Sequence, residues 1–399
     1  MPSGDDWQGD VLRDLRGGTP QQPAPGPQHQ GIGTPGQRGA PEQAHAYPEQ
    51  GSAPAPGHPP RQQHAERAQP PVPQQQYTQQ QYAQQQARPA PRATPDSRPV
   101  LDKRLAAAVL KPRHGESFGT RALRAVRRTV SSSASREVAD TAARAEVLQQ
   151  AVTTGRQIAV TSIRGGSGKT TVAALLAATY AHYRQDPVLA VEADPALGSL
   201  PLRLGAESVR WTTGDLAGLL EPQMSLLDVT GYLVPLGGNA WLLPGSQGQV
   251  GAMLDTKGYE RVMVSLRRYF GVTVVDCETL PAEVARTALS AAQARVLTVA
   301  ATPEGLASTH AVLEWMRNLP RHVLDLTVVV LTETAPHPGV DLGRAAEELT
   351  AAGVTVVVLP YDRHLAQGGA LRTDLLARAT RQAATRLAAD AFRLSQKQR

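Results

Sequence analysis

Eight consecutive residues carry the clearest chemistry in this sequence: Arg164-Gly165-Gly166-Ser167-Gly168-Lys169-Thr170-Thr171. An apolar run, QIAVTSI (157–163), precedes them, and a helix-forming stretch, VAALLAATYAHY (172–183), follows. Strand, glycine loop and helix in that order are the context in which such a loop binds phosphate. Gly165, Gly166 and Gly168 let the backbone turn tightly and bring its N–H groups against phosphate oxygens, and the helix N-terminus adds partial positive charge. Lys169 is placed to reach the terminal phosphates as a point charge, and the Thr170 hydroxyl suits a magnesium ion. Ser167 and Thr171 complete the cradle. The common pattern asks for glycine where Ile163 stands, so the match is to a deviant form with two glycines after a basic residue.

That deviant loop resembles the MinD/ParA family of P-loop ATPases, which writes Lys-Gly-Gly-x-Gly-Lys-Thr and uses ATP with Mg²⁺. The resemblance covers about residues 155–395. It implies an ATP-dependent homodimer in which the first basic residue, here Arg164, crosses to the partner's phosphates. Arginine keeps that charge with a different reach and geometry. VLAVEADPALGSL resembles the family's second strand, which ends in Asp-x-Asp-Pro. Asp194 then matches the residue that places the attacking water, and Glu192 replaces the first aspartate. VTVVDCE resembles the Walker B strand, with Asp276 as magnesium ligand through water. A carboxylate ending an apolar strand is otherwise costly without a partner. VVVLPYDRHLAQGG resembles the stretch closing the adenine pocket, which puts Pro360 beside the base. Thr332 falls near the point where relatives carry an adenine-reading Asn.

Short apolar runs around these residues supply the framework: QIAVTSI, PVLAVEAD, GYLVPLG, NAWLLPG, VTVVDC, ARVLTVAA, LDLTVVVLTE and VTVVVLP, separated by Ala/Leu-rich helical stretches. Runs this uniformly apolar suit strands covered on both faces. The expected fold is α/β, a three-layer, doubly wound, mostly parallel sheet.

Three regions follow from composition. Before residue 101 lie 19 of the 32 prolines, among Gln, Ala and Gly with few branched aliphatics, so residues 1–100 read as a disordered leader. Residues 1–16 space Trp7, Val11, Leu12 and Leu15 as a short docking helix or a frayed tail would. Residues 101–153 read as a basic helical connector, since residues 101–150 hold ten Lys/Arg against five Asp/Glu. Phe118, Ala122, Val126 and Val130 mark one helix there, with Arg121, Arg124, Arg127 and Arg128 on its other sides, and a second helix spans Ser135 to Val152. The connector is a solvated linker or a surface for anionic membrane, DNA or a protein partner. The ATPase domain takes 154–399. Its final helix, from about 370 to 395, spaces Leu371, Leu375, Ala379, Ala383 and Leu387 for docking on the sheet.

One cysteine, Cys277, excludes an intrachain disulfide and suits a reducing cytoplasm; no apolar run is long enough to span a membrane. A location at the inner face of the membrane is compatible with both. Leader, connector and C-terminal ending together resemble the MinD/ParA-like ATPases encoded with actinobacterial type VII (ESX) secretion systems. This resemblance implies slow ATP hydrolysis and a secretion-system partner recruited through the leader. A partitioning ATPase that binds DNA nonspecifically, and a nucleotide-dependent scaffold with negligible turnover, are the alternatives.

Overall fold

The computed structural model describes residues 94–117, 119, 134–196, 198–249, 251–318 and 321–397. The leader up to residue 93, including the segment at 1–16, and the helix expected around Phe118 to Val130 lie outside the described residues.

All eight apolar runs form strands of one sheet. They are β2 (Arg156–Ser162), β3 (Val188–Ala193), β5 (Val234–Gly237), β6 (Ala240–Leu243), β7 (Val272–Cys277), β8 (Ala294–Ala300), β9 (Thr327–Thr332) and β10 (Thr355–Leu359). The sheet order is β10-β9-β8-β2-β7-β3-β6-β5, parallel throughout except for β5. Every residue of β3, β7 and β9 is buried, as expected of strands covered on both faces. The antiparallel strand β5 closes one edge by a hairpin. Gly237 and Gly238 supply its turn with φ of 90° and 59°, the left-handed region that suits hairpin turns.

Among the described residues there are seven longer helices: α1 (Ala134–Gln149), which packs on α2 and α7, and six that cover the sheet, α2 (Lys169–Tyr183), α3 (Thr256–Leu266), α4 (Glu283–Ala291), α5 (Pro303–Met316), α6 (Leu342–Ala351) and α7 (Arg378–Gln396). On one face, Val172, Leu176 and Tyr180 of α2 and Leu387, Ala388 and Phe392 of α7 pack over Ile158, Val160, Val274 and Val330. The opposite face carries two clusters. Tyr259, Val262 and Leu266 of α3 lie over Val191 and Val275, while Leu313 of α5 and Leu349 of α6 lie over Val299 and Leu331. The architecture is therefore a three-layer, doubly wound α/β fold.

The chain moves one way from β2 to β3 and the other way from β7 to β8, so the switch in winding direction falls at β2. Ligands of open α/β sheets lie beyond the strand carboxyl ends at such a point. The phosphate loop leaves β2 there.

Two boundaries differ from the sequence expectation. The last helix starts at Arg378, not near 370, so Leu371 and Leu375 lie outside it. Its buried stripe runs through Thr380, Ala384, Leu387, Ala388, Ala391 and Phe392, while Ala379 and Ala383 are only half-buried. Helical spacing alone could not separate a helix from a preceding irregular segment whose Leu371 and Leu375 are half-buried. Residues 95–100, assigned to the leader, instead pack on the domain. Arg98–Pro99 form β1, antiparallel to β4 (Ser208–Val209). Among the described residues no helix is long and apolar enough to cross a membrane.

Candidate functional site

Between β2 and α2 the loop turns through Gly166 at φ 78° and Gly168 at φ 86°, conformations that favour glycine. Gly168 is the N-cap of α2, and Lys169 and Thr170 are its first residues. A Cβ at Gly165 or Gly166 would meet nothing within 4 Å, so the loop's outer side is open. Its inner side is bolted down. Ser167 Oγ and Thr298 Oγ1 are 2.8 Å apart, and Thr298 donates to the Thr161 carbonyl at 3.2 Å. The Thr332 hydroxyl is shared between the carbonyls of Ser167 at 2.8 Å and Val299 at 2.9 Å. Thr332 is buried, and its hydroxyl is committed beneath the loop. Thr298 escaped the sequence reading; a threonine inside the apolar run of β8 was its one signal.

The carboxylates gather on the other flank. Asp276 is the next-to-last residue of β7, in register with Val160 of β2 and Glu192 of β3. It is buried, and among the described residues neither of its oxygens has a well-formed hydrogen bond. Burial pushes its carboxyl up to about 7, against the pull of the nearby Thr170 hydroxyl and Lys169 ammonium. Glu192 is also pushed up to about 7 by burial, but it is fully engaged. Its two oxygens accept the N–H groups of Leu200 at 3.0 Å and Gly245 at 3.1 Å. The longer side chain standing for the family's first aspartate thus ties the turn after β3 to the loop after β6. Sequence reading had no access to that role. Asp194 follows β3, half-buried, and Glu278 lies within electrostatic reach of both Asp194 and Lys169, its carboxyl raised chiefly by burial.

Thr170, Lys169 and Asp276 are thus brought together, with Asp194 close by. Arg164 is exposed and turned aside: its Nε donates to Ser308 Oγ of α5 at 2.7 Å. Pro360 is half-buried at the end of β10, the edge strand, three places from β2. It shares the carboxyl edge of the sheet with the loop. Among the described residues no three His, Cys, Asp or Glu side chains surround a metal position. A magnesium ion in a phosphate loop needs none, because it takes one hydroxyl, substrate oxygens and water. The two uncommitted oxygens of buried Asp276, facing Thr170, fit such an ion.

The family model for the CobQ/CobB/MinD/ParA nucleotide binding domain matches residues 158–370, more than half of the chain. The chain belongs to this family. The ESX-1 secretion-associated protein EspI of Mycobacterium tuberculosis is 31% identical over 228 residues, which cover 55% of this chain and 34% of that protein. The chain therefore spans about a third of the length of the relative it matches. Among solved structures, a ParA family ATPase from Chlorobium tepidum aligns at 13% identity and a TM-score of 0.47, covering 58% of this chain and 98% of the other. The MinD cell division ATPase of Pyrococcus furiosus aligns at 24% identity and a TM-score of 0.45, covering 60% and 99%.

Proposed function

We propose that the chain is an ATP-driven switch of the MinD/ParA kind, slow in hydrolysis, that works beside a type VII secretion system. The observation that carries the reading is the loop of residues 164–171 at the switch point of the sheet, with Lys169 and Thr170 opening α2 beside the uncommitted carboxylate of Asp276.

In this reading the backbone N–H groups of Gly165, Gly166, Ser167 and Gly168 cradle the phosphates of ATP, and Lys169 neutralises the charge between the outer two. Thr170 and Asp276 hold magnesium, which when bound offsets phosphate charge. Thr171 extends the cradle, and Pro360 flanks the base. Asp194 orients the attacking water in line with the terminal phosphate. Positioning and electrostatics supply nearly all of the catalysis in such transfers. Two chains close over two nucleotides, each Arg164 leaving Ser308 for the other chain's phosphates.

Secretion is supported by the 31% identity to a protein named for association with ESX-1 secretion. The chain acts in the cytoplasm, with residues 1–100 recruiting a secretion partner and residues 101–153 joining them to the ATPase at 154–399. Calorimetry on Lys169→Ala tests the core of the reading. ATP binding is expected to vanish while the melting temperature holds, because Lys169 is not part of the buried face of α2. Unchanged affinity would overturn the site.

A further inference from the structure

Residues 95–116 form a strap held to the domain at both ends. At the first end, Arg210 Nε donates to the Pro95 carbonyl and Gln247 Nε2 to the Asp96 carbonyl, both at 2.9 Å. The Val100 N–H donates to the Glu207 carbonyl at 3.0 Å, continuing the pairing of β1 with β4. These partners follow the carboxyl ends of β3 and β6. Between the anchors the strap stands clear of the body, with Lys103 and Arg104 exposed.

The second anchor is denser and lies on the segment that leaves β10. Gly115 donates its N–H to the Leu375 carbonyl at 2.7 Å, and its carbonyl accepts the Arg363 N–H at 3.2 Å. A Cβ on Gly115 would lie 2.6 Å from the Ala377 nitrogen and closer still to both oxygens of Asp362. The Gln367 amide grips the strap twice, accepting the Arg113 N–H at 2.9 Å and donating to the Lys111 carbonyl at 3.0 Å. Beneath Gly115, buried Asp362 gathers the N–H groups of His364, Leu365 and Ala377.

This anchored segment is wired to the nucleotide site from two directions. Buried Arg203 donates to the carbonyls of Leu365 at 2.8 Å and Gly369 at 3.1 Å, and its own carbonyl accepts the Leu371 N–H. Arg203 closes the helical turn Leu200–Arg203, whose first N–H is held by Glu192, two residues before Asp194. From the other side, the Leu359 carbonyl accepts the Glu333 N–H, next to the Thr332 that bolts down the phosphate loop. Asp276, Glu192, Asp194 and Glu278 crowd the β3–β7 flank of that loop. In the reading above, where Pro360 flanks the base, a nucleotide whose phosphates lie in the loop extends its nucleoside toward the β9–β10 flank, onto residues 360–371.

We propose that the strap is a positioning element for the nucleoside half of the site, fastened through Gly115 and Gln367, and that strap docking and nucleotide binding strengthen each other. The proposal rests on the nucleotide reading above. Coupling of this kind is reciprocal: the factor by which the strap tightens nucleotide is the factor by which nucleotide closes the strap. A pull on the chain before residue 95 then loosens nucleotide, and the strap becomes the route from leader to site.

Two ligands separate this role from a general loss of structure, namely ATP and inorganic tripolyphosphate, which has the phosphates and no nucleoside. In the full chain, Gly115→Ala and the milder Gln367→Ala are expected to weaken ATP by about tenfold and to leave tripolyphosphate unchanged. ATP is expected to slow tryptic cleavage after Arg113 in the parent, and much less in either variant; tripolyphosphate should not slow it. Equal losses for both ligands, no loss for either, or cleavage indifferent to ATP would each overturn the proposal. If the parent binds neither ligand, or if Lys169→Ala binds both as the parent does, the nucleotide reading itself fails and the coupling falls with it.

Discussion

Arg164 Nε donates to Ser308 Oγ at 2.7 Å, which lays the loop's leading cation along α5 and away from the phosphate cradle. Ser308 is already held, since its hydroxyl donates to the Glu304 carbonyl at 2.8 Å one turn earlier. The serine is a fixed resting place; the arginine is exposed and costs little to move, about 1 kcal/mol for one such bond. A partner subunit's phosphates offer the guanidinium stronger, charge-assisted bonds. Arg164→Ala is therefore expected to weaken ATP-dependent dimerisation by at least about tenfold, and Ser308→Ala to favour it modestly. Light scattering over a concentration series reads both. A dimer indifferent to Arg164→Ala would assign the contact to other residues.

Asp194 is expected to separate binding from turnover. Asp194→Ala keeps ATP affinity near that of the parent and slows phosphate release by at least about tenfold, roughly 1.4 kcal/mol of barrier. The same variant with ATP should accumulate as a dimer, because hydrolysis no longer resets it. Full turnover in the variant would move the water-placing role to another group, with Glu278 the nearest alternative.

The Asp276 carboxyl predicts a conflict between stability and function. Burial raises its pKa, and that of Glu192, to about 7. The folded chain then keeps protons that the unfolded chain has released. Stability from these groups is full below the ordinary carboxylate range and is lost as pH rises to about 7. Asp276→Asn removes the buried charge at nearly constant shape. The nucleotide-free variant should be more stable than the parent by about 1 kcal/mol or more at pH near 8, with a flatter pH dependence. It should also lose the magnesium dependence of ATP binding. A variant less stable than its parent at that pH would show that Asp276 has a structural partner in the free chain.

Glu192→Asp restores the residue that the family carries, yet it is expected to harm this chain. The glutamate spans from Leu200 to Gly245, and the shorter side chain cannot reach both N–H groups. One buried donor left without a partner costs about 1–3 kcal/mol. Calorimetric melting measures this directly. An unchanged melting temperature would show that the two loops hold together without the clamp.

The sheet and its phosphate loop were legible in the sequence because their causes are local. Strands buried on both faces must be apolar along their whole length, and eight such runs mark the strands from β2 to β10 that build the sheet. Tight turns against phosphate need glycine, and Gly166 and Gly168 take φ values that favour it. The last helix was read too long because leucine spacing reports burial, and Leu371 and Leu375 precede Arg378, where the helix begins. Tertiary structure alone decided which polar groups meet. Thr332 and Ser167 are 165 positions apart in the chain, and Gly115 sits over Asp362 from a segment composition assigned to a connector. No periodicity encodes such pairs, since a hydroxyl or a glycine acquires its partner only when separate strands and loops are brought to one edge of the sheet. Sequence set what the phosphate loop is made of; packing settled what holds it down and what is strapped across its far side.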